Sequence, residues 1–280
     1  MSWTAQRIVE ETKKVSSLPT VYYQLTAAVD NPATCNRDME RIIHTDSGLV
    51  ARLLRIANSA MYTFPSRIDT IGRAITIIGT AQLRELALAT SIIRIFKDIP
   101  VALVDMRSFW EHSIACAITA RALAGFHREA NPERYFVAGL LHDIGRILMY
   151  DKVPQQMEEA LSQAAESNRL LFEVEREVLG FDHAAVGRIL LTEWKLPTHT
   201  INAVRYHHSP KMDDLYNDAT IVHVADIMAN SLQLGTSGER LVPPLDTVAW
   251  DNLKLDVSLI TLSHEQLIRQ FEEATQILLS

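Results

Sequence analysis

The chain has 280 residues, 48% of them hydrophobic and 22% charged, a composition typical of a folded globular protein and not of a disordered one. Its formal net charge of −7 argues against a broad surface for the phosphate backbone, so nucleic acid is not an expected partner. Cys35 and Cys116 are its two cysteines, and without a CxxC spacing they predict neither a disulfide framework nor a thiolate zinc site.

The first hundred residues show the spacing of helices. The stretch "DSGLVARLLRIANSAMY" places apolar residues three and four apart along one face, with Asp46 or Ser47 as the expected N-cap. After a break at "FPSRIDT", residues 71–96 predict either one long helix or two that meet near Gly79. No cluster of metal-ligating or catalytic residues is apparent in this half.

A polar group in this half has two interpretations. Arg52, Arg55, Asn58 and Ser59 could form a polar contact surface. We favour the simpler interpretation, a solvated helix face that ends in an Asn–Ser turn, because charged helix faces are usually only solvated. The sequence also lacks a GxxxxGK loop, a GxGxxG turn and a GxSxG elbow, so it predicts neither a phosphate-binding loop nor a serine hydrolase.

Helical spacing resumes beyond an interruption at residues 97–105, where we place the main internal boundary. Residues 132–150, "PERYFVAGLLHDIGRILMY", read as one helical run, and the region around Gly180 reads as two helices that meet there. Convincing strand-like alternation is missing. The sequence therefore predicts an all-α protein with an N-terminal helical half, residues 1–100, and a helical bundle, residues 101–280.

Polar residues stand on the apolar faces of the later helices. A carboxylate inside an apolar run is costly unless something compensates its charge, and a metal ion is one of the few groups that can. Each such residue alone has an ordinary interpretation, as a hydrogen-bonded core histidine, a histidine that closes a helix, or an aspartate paired with Arg146 or Arg205. Together they predict a shared interior site that consists of His112, His142, Asp143, His183, His207, His208 and Asp226.

Imidazole and carboxylate groups without a thiolate are suitable ligands for a divalent metal such as Mn, Fe, Zn, Co or Mg. The number of candidate ligands allows one or two ions. Two ions roughly 3.5 to 4 Å apart would suit phosphate-ester hydrolysis, because they activate a water molecule and bind the phosphoryl oxygens. The spacing of the residues does not decide between one ion and two.

Several of these segments resemble known families. The order of three segments resembles that in the HD superfamily of metal-dependent phosphohydrolases. These segments are His112, "LLHDIG" with His142 and Asp143, and "VHVADIM" with Asp226. The upstream segments "RIANSAMY" and "IDTIGRAITIIGTAQLRELAL" resemble the HDOD domain, a bacterial signalling module related to the HD-GYP phosphodiesterases. The resemblance covers roughly residues 15–235 and implies an HD-type helical bundle with an N-terminal helical half.

The two related families imply different activities. In HD-GYP enzymes the matching positions would hold a metal centre that hydrolyses cyclic di-GMP, and this sequence fills all seven. HDOD proteins often lack part of the set, have no generally established hydrolase activity and are associated with signal transduction. Three departures argue against catalysis. "SPKMDDLY" after His208 lacks the glutamate and the GYP segment, Ser108 stands where some relatives carry a glutamate ligand, and Arg146 replaces a lysine.

We therefore predict a cytoplasmic, bacterial regulatory protein of the HDOD type, without a signal peptide or a membrane partner. It would present a surface to a signalling protein, and a nucleotide is a second candidate ligand. The alternative is an enzyme, a metal-dependent phosphohydrolase that acts on a nucleotide or another phosphoester, with Asp143 catalytic as metal bridge or base. DNA binding through a helix-turn-helix in the first half is disfavoured by the acidic balance.

Overall fold

The structure, a computed structural model, describes residues 3–12, 17–62, 64–96, 99, 101–210, 217–254 and 257–280, apart from the side chains of residues 217 and 257–263. In this part of the chain every regular element is a helix and no β-strand occurs, which confirms the all-α prediction. The helices are α1 Ala5–Glu11, α2 Thr20–Asp30, α3 Asn36–Ile43, α4 Ser47–Ala57, α5 Ile71–Ile78, α6 Thr80–Phe96, α7 Met106–Phe126, α8 Pro132–Leu141, α9 Ile144–Lys152, α10 Pro154–Ser167, α11 Leu171–Leu179, α12 His183–Glu193, α13 Thr198–Tyr206, α14 Asn217–Ser231, α15 Thr247–Leu253 and α16 Val257–Leu278. Among the described residues, no helix combines the length and the apolarity needed to cross a bilayer.

Aspartate side chains begin several of these helices. The N-cap predicted at Asp46 is correct, since its carboxylate accepts from the Leu49 N–H at 2.9 Å. Asp105 and Asp182 begin α7 and α12 in the same way. An acceptor at this position satisfies N–H groups that the first turn leaves unpaired, and a carboxylate also complements the helix dipole. Gly79 separates α5 from α6, so the interpretation with two helices is the correct one.

The run predicted as one helix over residues 132–150 is in fact two helices. α8 ends just before His142, and α9 begins just after Asp143. His142 Nδ1 donates to the Gly139 carbonyl at 2.7 Å, an acceptor that a continuous helix would pair with the Asp143 N–H. The break lets two consecutive residues face the same interior point, which successive positions of one helix cannot do.

Helices α7, α8, α9, α12, α13 and α14 surround the interior in which this junction lies. α7 packs against α8 and α14, α12 packs against α9 and α13, and α13 packs against α14. The contact between α9 and α12 is close because Gly145 has no side chain, and a Cβ atom there would lie 2.1 Å from the His183 carbonyl oxygen. A larger residue at this position would therefore separate the two helices that begin beside Asp143 and at His183.

The two predicted halves share one apolar core. Its buried cluster includes Ile8 in α1 and Leu278 in α16, together with residues of most helices between them. α1 contacts α9 and α12, while α16 contacts α4 and α7. The boundary at residues 97–105 stays a prediction, and residues 97, 98 and 100 lie outside the described residues.

A buried carboxylate also connects the two halves. Glu133, in the first turn of α8, accepts hydrogen bonds from the Tyr62 hydroxyl at 2.7 Å and from Arg121 Nε at 3.1 Å. The guanidinium of Arg121 lies 4.7 Å from the centre of the Tyr62 ring. Because Glu133 is only 3% exposed, it depends on these donors in place of water. The turn that follows α4 is thereby joined to the first turn of α8.

Candidate metal centre

The seven predicted site residues come together in the interior of the bundle. They are His112 in α7, His142 and Asp143 at the α8–α9 junction, His183 at the start of α12, His207 and His208 directly after α13, and Asp226 in α14. All except the half-buried His208 are at most 5% exposed. The structure thus gathers every residue of the predicted set, and their role as metal ligands stays a prediction.

The potential ligand atoms form two groups that share Asp143. One group is His112, His142 and Asp143, the other is Asp143, His183, His207 and His208, and the atoms of each lie within 4.8 Å of one another. Asp143 Oδ2 is 3.3 Å from His142 Nε2, and its Oδ1 is 2.9 Å from His183 Nε2. Asp226 Oδ1 joins the first group, 3.2 Å from His112 Nε2. Asp143 therefore presents one oxygen to each group, an arrangement suited to a carboxylate between two ions.

Hydrogen bonds on the outer side assign the tautomers of three histidines. A neutral ring whose Nδ1–H donates carries its lone pair on Nε2. The bonds run from His142 to the Gly139 carbonyl at 2.7 Å, from His207 to the Val204 carbonyl at 2.7 Å, and from His183 to Glu175 Oε2 at 2.6 Å. All three Nε2 atoms face the centre, where those of His183 and His207 lie 3.4 Å apart. Two lone pairs at this distance repel each other unless a proton or a metal ion interacts with them.

This donor set fits a divalent metal ion. Asp143 Oδ1 is buried and lies 2.9 Å from His183 Nε2. A buried oxygen without a partner is costly, so this position needs either a proton on that ring or a metal ion. The carbonyl and carboxylate partners behind the histidines are those that orient metal-binding imidazoles in general. Imidazole nitrogens with carboxylate oxygens suit Mn, Fe, Zn, Co or Mg. The identity and the number of ions stay predictions.

Carboxylates outnumber permanent cations around the centre. Asp143, Asp226 and Glu175 are buried together with Arg146, whose Nη1 lies 3.1 Å from Asp143 and whose Nε lies 3.0 Å from Glu175. Burial would raise the pKa of Asp143, but Arg146 and the neighbouring histidines hold it well below its usual range. The interior therefore has an excess of negative charge, which a divalent cation or protonated histidines would compensate.

The pKa values of the histidines respond to this charge in opposite directions. Burial disfavours the charged form of His183, but Glu175 and Asp143 outweigh it and raise the pKa to about 9. Burial also opposes protonation of His142, and Asp143 nevertheless raises its pKa well above the usual value. Burial and the two charged rings lower the pKa of His207 to about 3. Without a metal ion, protons on His142 and His183 therefore balance the carboxylates at neutral pH.

A loop closes the centre from the outside. Residues 235–246, here called the covering segment, precede α15. Ser237 is fully buried, its hydroxyl contacts the Arg146 guanidinium, and its carbonyl accepts from the Tyr150 hydroxyl at 2.8 Å. The space between the covering segment and the candidate ligands has no volume for a water molecule.

The covering segment approaches α7 at Gly235. This residue has a φ of +79°, and a Cβ atom on it would lie 2.3 Å from the Ser108 carbonyl oxygen and 2.5 Å from the His112 nitrogen, so only glycine fits. The next residue, Thr236, donates its N–H to the Ser108 carbonyl at 3.1 Å and to the Ser108 hydroxyl at 3.0 Å. Ser108, at the position where some relatives carry a glutamate ligand, binds the covering segment instead.

Three residues around the centre were not predicted from the sequence, namely Glu175, Ser237 and Glu239. Glu175 has a detectable signal, because it stands four residues after Leu171 on the buried face of α11. Ser237 and Glu239 lie in a loop without periodicity, where no spacing indicates burial. Glu239 Oε2 accepts the Leu171 N–H at 2.8 Å and so attaches the covering segment to the start of α11.

The ordinary interpretations of the aspartates are correct only in part. Asp143 does pair with Arg146, although it also lies among the histidines. Asp226 accepts from Asn230 Nδ2 at 2.8 Å. Arg205 pairs with neither of these aspartates. Its Nη1 lies 3.4 Å from Oδ1 of Asp182, the N-cap residue of α12.

The fold and this centre define an all-α protein with a buried histidine–aspartate cluster of a kind that suits divalent metals. The family model of the HDOD domain matches residues 15–210. The chain belongs to the HDOD domain family, which confirms the resemblance found in its sequence.

Proteins of known structure share this fold. An HDOD domain protein with unknown function from Geobacter sulfurreducens has a TM-score of 0.78 at 21% identity, over 93% of this chain and 92% of that one. A proposed phosphohydrolase from Shewanella amazonensis SB2B has a TM-score of 0.76 at 25% identity, over 97% of each chain. A curated protein from Treponema pallidum (strain Nichols) is 24% identical over 206 residues, which are 73% of this chain and 40% of that protein. The chain thus spans less than half the length of this curated relative.

Proposed function

We propose that this protein is a regulatory HDOD protein of a bacterial signalling system, and that it holds one or two divalent metal ions without using them for turnover. The observation that carries the proposal is the closure of the centre by the covering segment, which leaves no volume for a water molecule. A hydrolytic metal site keeps a position open for water and substrate, whereas a structural site is closed. The missing GYP segment agrees with this proposal.

The residues that would hold the metal are the seven of the cluster, His112, His142, Asp143, His183, His207, His208 and Asp226. A bound divalent ion would supply positive charge to the centre and act there as a Lewis acid. The chain's own groups prepare this position. Glu175 keeps Nε2 of His183 directed inward, Arg146 orients Asp143, and the covering segment excludes water.

Such a centre would regulate a partner by changing the shape of the helical bundle. Its candidate ligands come from α7, α14, the α8–α9 junction and the helix ends at α12 and α13, so metal binding would restrict how these helices move relative to one another. The surface that the bundle presents to a signalling protein would then depend on whether the centre is filled. This role requires no chemical step.

A second candidate function, phosphoester hydrolysis, is favoured by one observation. Asp143 presents one oxygen to each of two histidine groups, which suits a pair of ions. In this alternative the covering segment would have to leave before a nucleotide or another phosphoester could enter. Asp143 would then act as the metal bridge or as the base.

Metal content and turnover together test both candidates. The protein is purified without chelator, and bound Mn, Fe, Co, Zn and Mg are measured in the wild type, in His142→Ala and in His44→Ala, a control at an exposed histidine of the N-terminal half. We expect one or two equivalents in the wild type and the control, and a loss in His142→Ala. The loaded wild type is then assayed with bis(4-nitrophenyl) phosphate and cyclic di-GMP, and we expect no turnover above background.

Two results would contradict the regulatory proposal. Turnover that disappears in Asp143→Asn, with metal still bound, would replace the regulatory proposal by the hydrolase. A wild type that contains no metal, and takes up none of these ions on dialysis, would exclude both metal-dependent functions. The buried cluster would then be an ion-pair network in a purely structural role.

A further inference from the structure

A second cavity lies between α4, the turn that follows it and α16. It has a volume of about 970 Å³, and sites for small ligands generally have about 300 to 1,000 Å³. None of the seven candidate metal ligands contributes to its walls. The walls include two aromatic rings and two arginines. These groups indicate what kind of ligand the cavity binds.

The aromatic side of the cavity is a stacked column. The Tyr62 and Phe64 rings are 5.5 Å apart and inclined by only 12°. Arg121 lies over the Tyr62 ring at 4.7 Å, and the Tyr62 hydroxyl is bonded to Glu133. Phe64 is half-buried, and it lines the cavity together with Tyr62. A flat aromatic ring of a ligand can extend such a stack, and base–aromatic stacking tolerates any base.

The polar side of the cavity has two arginines without an ion-pair partner among the described residues, and two carboxylates also line the walls. Arg55 and Arg67 line it and are exposed, and in the described part of the chain neither has a carboxylate within ion-pair distance. The partner of Arg55 is a neutral group, the Ser280 hydroxyl at 3.1 Å. Arg52, on the same helix, differs because it lies 3.9 Å from Asp46. Guanidinium groups bind phosphate through two parallel hydrogen bonds, so this pair suits a phosphorylated ligand.

The wall between these two sides is held in place by hydrogen bonds. Asn58 Nδ2 donates to the Ile68 carbonyl at 2.7 Å, and its Oδ1 accepts the Ile68 N–H at 2.8 Å. Glu273 Oε2 of α16 accepts the Ala60 N–H at 2.6 Å, and Gln270 Nε2 donates to the Ala60 carbonyl at 3.0 Å. A wall that is already ordered avoids part of the entropy cost of binding.

The four polar residues that the sequence places together in the first half, Arg52, Arg55, Asn58 and Ser59, therefore differ in what they contact. Asn58 and Ser59 bond to the backbone at the end of α4, as expected for an Asn–Ser turn, and Asn58 also bonds to Ile68. Arg55 instead lines the cavity together with Arg67. Asp69, also on the wall and exposed, could accept hydrogen bonds from sugar hydroxyls.

We propose that this cavity binds a nucleotide, with its base stacked on Phe64 and its phosphate on Arg55 and Arg67. The two sides of the cavity require one ligand that combines a planar ring with an anion, and a nucleotide is that combination. The proposal is independent of the metal centre, because no residue of the centre lines this cavity.

Calorimetric titration of the full chain tests the proposal. The probes are 5′-AMP and 5′-GMP, with adenosine and inorganic phosphate as the separate halves of the ligand. We expect nucleotides to bind, and each half to bind at least about tenfold more weakly. The variants are Phe64→Ala and the pair Arg55→Ala with Arg67→Ala. The matched control is the pair Arg41→Ala with Arg188→Ala, two exposed arginines outside the cavity.

Both cavity variants should lower nucleotide affinity by roughly tenfold or more, while the control pair keeps the wild-type affinity. Circular dichroism shows whether each variant is folded. Titrations repeated with EDTA should still show nucleotide binding, which separates this cavity from the metal centre. The proposal is overturned if neither nucleotide binds at millimolar concentration, or if binding persists in both cavity variants. Binding that EDTA abolishes would place the nucleotide at the metal centre and also overturn it.

Discussion

Glu175 does not contact the candidate ion position, yet it determines how His183 faces it. One of its oxygens accepts from both the His183 backbone N–H at 2.9 Å and the ring Nδ1 at 2.6 Å, and the other accepts from Arg146 Nε. A carboxylate behind a ligating imidazole directs the ring and makes it more basic. Glu175 is therefore a positioning residue whose removal should weaken metal binding without removing a ligand.

Glu175→Gln should lower metal affinity by about 10- to 100-fold, because an amide cannot supply the same charge behind His183. Affinity is measured by competition with a fluorescent chelator. Glu177→Gln is the matched control, since Glu177 is on the same helix and exposed, and its partner Arg169 lies on the surface. Equal affinity in the two variants, both folded by circular dichroism, would show that His183 needs no orienting partner.

The covering segment is the element that distinguishes a closed centre from an open one. It is attached at three places, to α7 through Thr236, to α9 through Ser237, and to the start of α11 through Glu239. Gly235 permits the first attachment, because the segment there passes against the backbone of α7. A side chain at Gly235 should therefore lift this end of the segment.

Gly235→Ala should speed the removal of metal by EDTA by roughly tenfold, because steric overlap of this kind costs about 1–3 kcal/mol in the closed state. Metal release is followed by stopped-flow absorbance with Co as the bound ion. Gly125→Ala on α7 is the control, since a Cβ atom there meets nothing within 4 Å. The same release rate in both variants would mean that the covering segment does not limit access to the centre.

Across the whole molecule, the cluster joins helices that are far apart in sequence. His112 and Asp226 are more than a hundred residues apart, yet their side chains approach to 3.2 Å. A metal ion between such helices binds the folded chain and not the unfolded one, so it must raise the unfolding temperature. The effect must also depend on pH, because protons occupy His142 and His183 when the metal is absent.

Saturating metal, at about 100 times its Kd, should add about 2.7 kcal/mol and raise Tm by roughly 5 to 10 °C. At one fixed metal concentration, the rise in Tm should be larger at pH 8 than at pH 6. The pKa of His183 is raised to about 9, so protons compete with metal below this pH and compete less as the pH approaches it. Differential scanning calorimetry with and without EDTA measures both effects. His142→Ala should show neither, and an equal rise at both pH values would contradict the proton competition.

The sequence predicts the helices and the members of the cluster because both follow from local spacing. It does not predict the break at His142, since nothing in an apolar helical run shows that the ring of one residue will bind a carbonyl of the preceding turn. It also does not predict the covering segment, whose burial depends on contacts with α7, α9 and α11. The second cavity, which Phe64 lines, also needs residues of α16 for its wall. Because α16 lies about two hundred residues after Phe64 in the sequence, no local pattern could indicate this cavity.

The position of α8 has a further consequence, because Glu133 lies in its first turn and His142 directly follows its last residue. The Tyr62 hydroxyl binds the first, and the second belongs to the metal cluster. His142 stands nine positions after Glu133, a distance of about 13.5 Å along the helix axis. A helix this short can move as a rigid rod. A ligand that shifts Tyr62 while its hydrogen bond holds would then displace His142. Binding at one end of this rod and at the other would be coupled, and each ligand would change the affinity of the other by the same factor.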